Sequence, residues 1–180
     1  MNTPLVVNLF APPGSGKSTT ASGLFYNLKT QGVNAELAGE YAKDLTWSKR
    51  FSTLQDQIYV FGKQHHRVHR LKDDVDVVIM DSPILMNLAY AQNYPECFKE
   101  TVYWAFNQYN NLNFYIRRVK PYNPKGRNQT ETESDAKGKE ICMLLHDYDV
   151  KCTFVDGDSS GLSLITTEVL KKLHKSENSC

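Results

Sequence analysis

Near its start the chain reads Leu5-Val6-Val7-Asn8-Leu9-Phe10-Ala11-Pro12-Pro13-Gly14-Ser15-Gly16-Lys17-Ser18, an apolar run followed by a loop that contains glycine. Gly14 and Gly16 have no Cβ, so the backbone can turn tightly and direct successive N–H groups at phosphate oxygens. A helix that begins after the loop adds the positive end of its dipole. Lys17 would reach the β- and γ-phosphates of a nucleotide, and Ser18 offers a hydroxyl to Mg²⁺. The stretch predicts a strand, a phosphate-binding loop and a helix.

The same loop defines the residues expected to bind ATP. The consensus for such a loop begins with glycine, whereas this chain has Ala11 at that place. The change is mild, because the two later glycines, the lysine and the serine carry the mechanism. A chance match in a surface turn is the alternative, and the strand–loop–helix context argues against it. The residues expected to hold ATP are Pro13, Gly14, Ser15, Gly16, Lys17, Ser18 and Thr19.

Composition limits the kind of protein that this can be. A length of 180 residues with 41% hydrophobic content suits one α/β domain over residues 1–180. The formal net charge of +1 lacks the strongly basic balance of a dedicated nucleic-acid binder. Widely spaced cysteines without a Cys-x-x-Cys pair argue against zinc and against a disulfide framework. With no apolar run of membrane-spanning length and no export signal, we expect a cytoplasmic protein without a membrane partner.

Strand-like runs alternate with helical patterns along the chain. The predicted strands cover residues 5–10, 34–38, 76–80, 113–117 and 151–155. The predicted helices cover residues 18–30, 53–72, 83–91, 96–109, 132–148 and 161–174. Right-handed βαβ crossovers would join the strands into a parallel sheet with helices on both faces. The expected fold class is therefore α/β, with three layers around five parallel strands.

An acid follows the third predicted strand, and this place matters because ligands of an open parallel sheet bind beyond the carboxyl ends of its strands. The strand ends in Met80-Asp81-Ser82, a buried-strand pattern closed by a carboxylate. A carboxylate at this place meets Mg²⁺ directly or through water. Asp81 is therefore a predicted catalytic and metal-binding residue, with Ser18 as the second metal contact. The alternative is a helix cap before Pro83.

Another acid, Glu40, follows the second predicted strand. A carboxylate there can face the acceptor end of the cleft and orient or deprotonate an acceptor hydroxyl in line with the γ-phosphate. Glu40 is therefore the candidate general base and a substrate-binding residue. The alternative is an acid that opens the next helix, where the helix dipole favours it. Asp44 is a weaker candidate for the same role.

The segment after the fourth predicted strand is rich in cations. Residues 117–127 contain five of them, together with prolines and a glycine and without periodicity. We expect a lid over approximately residues 118–133, which would close on bound ATP and exclude water. Arg118 and Arg127 are the predicted catalytic pair, each a charge donor to the transferring group. An ordinary solvated loop is the alternative.

Two further sets of residues are predicted to contact ligands. Asp156 and Gly157 follow the fifth predicted strand, where the base of ATP would be held through backbone contacts. Gln57 and Gln64 lie on the long predicted helix and could line the acceptor pocket. Tyr41, like Trp47 or Phe51, could stack on a planar ring of the acceptor.

With these residues assembled, the chain resembles the small P-loop kinases of nucleosides and nucleotides. It is specifically similar to the ribosylnicotinamide kinase domain of NAD-salvage regulators and to stand-alone, often phage-encoded relatives. The resemblance covers roughly residues 5–158 and implies a P-loop NTPase fold. The matching elements are residues 13–19, Glu40-Tyr41-Ala42-Lys43, Asp56-Gln57, Gly62-Lys63-Gln64 and Ile79-Met80-Asp81-Ser82. The chain has Asp81-Ser82-Pro83 where those salvage kinases usually have Asp-Thr-Asp.

The motifs together predict an Mg·ATP-dependent phosphotransferase that acts on a nucleoside, a nucleotide or a nucleotide-like hydroxyl. A kinase of a hydroxymethylated pyrimidine in phage DNA is an alternative, for which a cationic groove would be needed. Its cations would come from Lys63, Arg67, Arg70 and Lys72. A P-loop ATPase switch without a small-molecule acceptor is the other alternative. A kinase should differ from the switch by a deep second pocket beside the γ-phosphate, bordered by Glu40 and the long helix.

Overall fold

A parallel five-stranded sheet forms the centre of the computed structural model, which describes residues 3–125 and 129–177, with side chains up to residue 175. The strands are β1 (Leu5–Phe10), β2 (Ala35–Ala38), β3 (Val77–Met80), β4 (Asn110–Arg117) and β5 (Thr153–Asp156). Their order across the sheet is β2-β3-β1-β4-β5, and every neighbouring pair is parallel. The predicted sheet is thereby confirmed.

Helices cover both faces of the sheet. They are α1 (Lys17–Thr30), α2 (Tyr41–Trp47), α3 (Phe51–Gln55), α4 (Gln57–His69), the 3₁₀ helix Ile84–Ala89, α5 (Glu96–Asn107), α6 (Glu131–Asp147) and α7 (Ser159–Glu177). Alternate residues of β1 point to opposite faces, as the pleat requires. Val6 and Phe10 pack in a core with α5, α6 and the 3₁₀ helix, whereas Val7 and Leu9 pack in a core with α1 and α7. The result is a three-layer α/β structure.

The fourth strand begins earlier than the sequence predicts, at Asn110 instead of Asn113. Among the added residues, Asn111 carries a polar side chain that has a partner inside the sheet. Asn8 of β1 is buried, and its Nδ2 donates to Oδ1 of Asn111 at 2.8 Å and of Asn113 at 2.9 Å. An apolar pattern does not reveal this strand start, because amides across two strands replace the expected apolar residues.

The prediction of a single helix over residues 53–72 is wrong. The chain forms α3 and α4, separated at Asp56, whose side chain caps α4 by accepting from the backbone N–H of Tyr59 at 3.1 Å. The hydroxyl of Tyr94 accepts from the backbone N–H of Gln57 at 2.9 Å, which stabilises the break from a distant part of the chain.

Two other elements differ from the predicted pattern. Residues 84–89 form a 3₁₀ helix instead of an α-helix. Residues 41–47 form α2, and Glu40 is the residue before it, as the alternative interpretation of Glu40 expects. In the described part of the chain, no helix has the length and apolar character needed to cross a membrane.

Candidate nucleotide and acceptor site

The glycine loop joins β1 to α1 at the carboxyl edge of the sheet. Gly14 and Gly16 have φ values of 87° and 89°, in the left-handed region that side chains with a Cβ rarely adopt. Gly16 is the residue before α1, so the backbone N–H groups of the first helical turn face the loop. The strand, loop and helix follow one another as predicted, with the helix beginning at Lys17.

Strand order brings the predicted acids to Lys17. Because β3 pairs directly with β1, the acid that follows β3 lies beside the loop that follows β1. The Nζ of Lys17 donates to Oε2 of Glu40 at 3.1 Å and lies 3.5 Å from Oδ1 of Asp81. Burial alone would lower the pKa of Lys17, but the two carboxylates outweigh it and the pKa is raised. Lys17 therefore stays charged at neutral pH.

Asp81 has the features of a metal contact. Its side chain is buried, and Oδ1 forms no hydrogen bond to any residue that the structure describes, although Lys17 lies nearby. Lys17, at 3.5 Å, is the cation beside this oxygen, and without a hydrogen bond the oxygen can still accept a further ligand. Ser18 follows Lys17, which lies against Asp81, and the hydroxyl of Ser18 and the carboxylate of Asp81 are oxygen ligands of the kind that Mg²⁺ takes together with phosphate oxygens. Among the described residues, no group of three or more His, Cys, Asp or Glu could hold a metal without such oxygens.

A cleft of about 650 Å³ begins at the glycine loop and continues between α2, α3, α4 and the 3₁₀ helix. The predicted site residues that line it are Pro13, Gly14, Gly16, Lys17, Ser18, Thr19, Glu40, Gln57 and Gln64. It is also lined by residues without a predicted site role, namely Lys43, Leu54, Met86, Asn87 and Tyr90. Trp47, one of the weaker stacking candidates, lies at the cleft with 65% of its surface exposed.

Gln64 and Tyr41 are neighbours in the structure, but only Gln64 lines the cleft. The Nε2 of Gln64 donates to the carbonyl of Ser82 at 2.9 Å, and its Oε1 accepts from the backbone N–H of Tyr41 at 3.0 Å. Gln64 therefore connects the ends of β2 and β3 as well as lining the cleft. The ring of Tyr41 packs against Tyr59, at 5.9 Å between ring centroids, and under Arg67. Tyr41 is not among the residues that line the cleft.

Of the two arginines predicted to act from the lid, the structure describes only Arg118. Arg118 forms ion pairs with Asp135 and Glu131 of α6 and does not line the cleft. Arg127 lies outside the described residues. The predicted lid is also too long at its end, because residues 131–133 form the first turn of α6, with Thr130 and Glu133 in a capping box. Other residues of the segment, Asn123, Lys125 and Gln129, do line the cleft.

Arg118 instead belongs to a contact between α6 and the glycine loop. Ser134 is fully buried, and its Oγ donates to the carbonyl of Pro13 at 2.6 Å. Arg118 Nη1 lies 3.4 Å from the same Oγ. A single serine within a helical pattern gives no sequence signal for this role. The contact holds the first half of the loop against α6.

Tyr90 adds a hydroxyl to the cleft. Burial and then the negative charge of Glu40 raise the pKa of Tyr90 to about 12, so the phenol stays protonated at neutral pH. The Nζ of Lys137 lies 4.8 Å from the centre of its ring. Tyr90 therefore offers a hydrogen-bond donor near Glu40.

The end of β5 and the glycine that follows it lie against the loop from the other side. Asp156 forms an ion pair with Nε of Arg117 at 2.8 Å, and the backbone N–H of Gly157 donates to the carbonyl of Arg117 at 2.9 Å. A Cβ built on Gly157 would overlap the carbonyl oxygen of Ser15 and lie 3.0 Å from that of Arg117. Only glycine fits here, because both neighbours are backbone atoms that cannot rotate away.

Gly157→Ala should therefore displace the glycine loop. We expect the affinity for ATP to fall about tenfold or more and the unfolding free energy to fall by about 1–3 kcal/mol, as for an overpacked site. Gly62→Ala is the matched control, since a Cβ on Gly62 of α4 has no atom within 4 Å. Calorimetric titration with ATP and thermal melting measure the two effects. Equal behaviour of the two variants would contradict this role of Gly157.

A glycine loop after the central strand, with its lysine paired to the acids that follow β2 and β3, defines a P-loop NTPase, the class that includes kinases and ATPases. A family model described as an AAA domain matches residues 6–160, and the chain belongs to that family. A comparison with curated proteins found no match. The predicted P-loop NTPase fold is confirmed. Nucleotide binding, usually with Mg²⁺, follows from the class.

Proposed function

We propose that the protein transfers the γ-phosphate of Mg·ATP to a hydroxyl group of a nucleoside or a related small molecule. The observation that carries the proposal is the cleft, which continues past the glycine loop into a second compartment walled by α3, α4 and the 3₁₀ helix. An ATPase switch needs room for a water beside the γ-phosphate, whereas a kinase needs room for an acceptor. The second compartment supports the kinase.

Glu40 lies where the two parts of the cleft meet. It is the residue before α2, and its Oε2 contacts Lys17, which would reach the γ-phosphate. In the proposed reaction the acceptor oxygen forms a bond to the γ-phosphorus, and the bond from that phosphorus to the β–γ bridging oxygen breaks. The acceptor proton passes to the Glu40 carboxylate. Mg²⁺, when bound near Ser18 and Asp81, would neutralise charge on the β- and γ-phosphates.

The walls of the second compartment favour an acceptor without a phosphate of its own. The side-chain nitrogen of Gln57 donates to the carbonyl of Leu54 at 2.8 Å, and that of Asn87 donates to the carbonyl of Ile84 at 2.7 Å. Each amide keeps its oxygen as an acceptor, which suits the hydroxyl and amino groups of a nucleoside. The cations among the described lining residues are Lys17, Lys43 and Lys125, and none belongs to these walls.

The resemblance to ribosylnicotinamide kinases makes nicotinamide riboside one candidate acceptor among nucleosides. The alternative of a DNA acceptor has less support from the geometry. Arg67, one of the four cations that would form the groove, pairs with Asp44 and donates to the carbonyl of Gly39 at 2.9 Å. The charge of Arg67 is therefore paired within the protein, close to Glu40, the predicted base.

The deciding experiment incubates the protein with γ-labelled ATP, Mg²⁺ and a panel of acceptors, followed by separation of the labelled products. The panel contains nucleosides, nicotinamide riboside, nucleoside monophosphates and hydroxymethylpyrimidine DNA. We expect label on a nucleoside. Label found only as inorganic phosphate in every reaction would support the ATPase switch, and label on DNA alone would support the DNA kinase.

A further inference from the structure

Lys43 is a cation of the cleft whose charge is not balanced by an acid. Its Nζ donates to Oγ of Ser18 at 3.0 Å, and both residues line the cleft. Within the described part of the chain, Lys43 forms no ion pair, whereas Lys17, Arg67 and Arg118 each pair with carboxylates. A cation held only by a neutral hydroxyl is available for a negatively charged ligand.

The partner of Lys43 decides what that ligand is. Ser18 is the proposed hydroxyl contact of Mg²⁺, and an ammonium group and a metal ion repel each other at the same oxygen. Lys43 must therefore leave Ser18 when the metal is held there. The lysine side chain is long and flexible, and the nearest concentration of negative charge would be the terminal phosphate of the nucleotide.

The position of Lys43 in the chain is a second reason to expect that it reaches the terminal phosphate. It lies in the first turn of α2, three residues after Glu40, so the candidate base and this cation are carried by the same helix start. Lys17, in contrast, comes from the nucleotide side of the cleft. Arg118, which was predicted to supply charge to the transferring group, is engaged with α6. A cation on the acceptor side is thus provided by α2.

We propose that Lys43 contacts the γ-phosphate from the acceptor side and stabilises the charge that develops on it during transfer. The inference rests on the proposed function. In the structure Lys43 donates to Ser18, and with nucleotide bound it would pair with the terminal phosphate. Because a diphosphate lacks that group, Lys43 should distinguish ATP from ADP.

The test compares Lys43→Met, which keeps the length of the side chain and removes the charge, with Lys43→Arg. Titration calorimetry with Mg²⁺ and the β,γ-imido analogue of ATP should show about tenfold weaker binding to Lys43→Met, the size of one charged hydrogen bond. The affinity of the same variant for Mg·ADP should change less than about twofold, because ADP lacks the γ-phosphate that Lys43 would contact. Lys43→Arg should restore the preference for the triphosphate. Lys29→Met is the control, since Lys29 is exposed near the end of α1 and lies over the ring of Phe25.

An equal loss of affinity for both nucleotides, or no loss for either, would overturn the inference. These measurements need no acceptor, so they can succeed even if the acceptor panel yields only inorganic phosphate. In that case Lys43 would contact the γ-phosphate of an ATPase, and the proposed kinase would be wrong. With an acceptor in hand, Lys43→Met should also lower kcat about 10²-fold, in the range found for preorganised charge donors.

Discussion

Lys17→Ala should reduce phosphoryl transfer at least about 10³-fold, to near background, because it removes the charge that would meet the β- and γ-phosphates. The variant should still fold, since Lys17 lies in the loop region and its side chain fills no apolar core. Transfer of label from γ-labelled ATP measures the rate, and circular dichroism checks the fold. Turnover close to that of the unchanged protein would end the kinase proposal.

The structure adds a second expected effect of this substitution. Lys17 separates the carboxylates of Glu40 and Asp81, so its removal leaves two acids facing one another without the cation between them. The variant should therefore bind ATP less well than a loss of one contact predicts, because the acids repel the phosphates. Lys29→Ala, on the exposed end of α1, is the matched control and should keep both binding and transfer.

Glu40→Gln should slow transfer to the acceptor by about 10²-fold or more, the usual contribution of a positioned base. The amide keeps the shape of the side chain, and its oxygen can still accept from Lys17, as Oε2 of Glu40 does at 3.1 Å. ATP affinity without acceptor should therefore change less than about threefold. Steady-state transfer and ATP titration separate the two effects.

Glu36→Gln provides the control for Glu40→Gln, since Glu36 lies on β2, the strand that precedes Glu40, and does not line the cleft. An equal loss of ATP binding and transfer in Glu40→Gln would indicate that Glu40 only opens α2. Unchanged transfer would place the base elsewhere, with Asp81 or Asp44 as the next candidates. Either outcome would leave the glycine loop as the nucleotide site.

Local signals were sufficient for the glycine loop and the strands. Val6, Leu9 and Phe10 belong to a run that is apolar except for Asn8, the pattern of a buried strand. Gly14 and Gly16 follow at the spacing that a phosphate-binding loop requires, and both have a left-handed φ in the structure, which permits the tight turn that the sequence predicts. Such features depend on neighbours in the chain, so the sequence contains them directly.

Contacts between distant segments explain where prediction was incomplete. The break between α3 and α4 depends on Tyr94, which lies 37 residues from its partner Gln57. The role of Ser134 depends on Pro13, 121 residues away, and Arg118 is drawn to the carboxylates of α6. Hydrophobic periodicity and local charge cannot predict such pairs, because these patterns describe only residues that are close together in the sequence.

The sequence by itself determined the phosphate-binding loop, the parallel α/β class and the acids at the ends of β2 and β3, because these follow from local backbone and hydrophobic patterns. Tertiary structure alone decided which cations face the cleft. The order of the strands places β3 beside β1 and so brings Asp81 to Lys17, and the packing of α2 brings Lys43 to Ser18. Charge acts over a few ångströms of space, and only folding sets those distances.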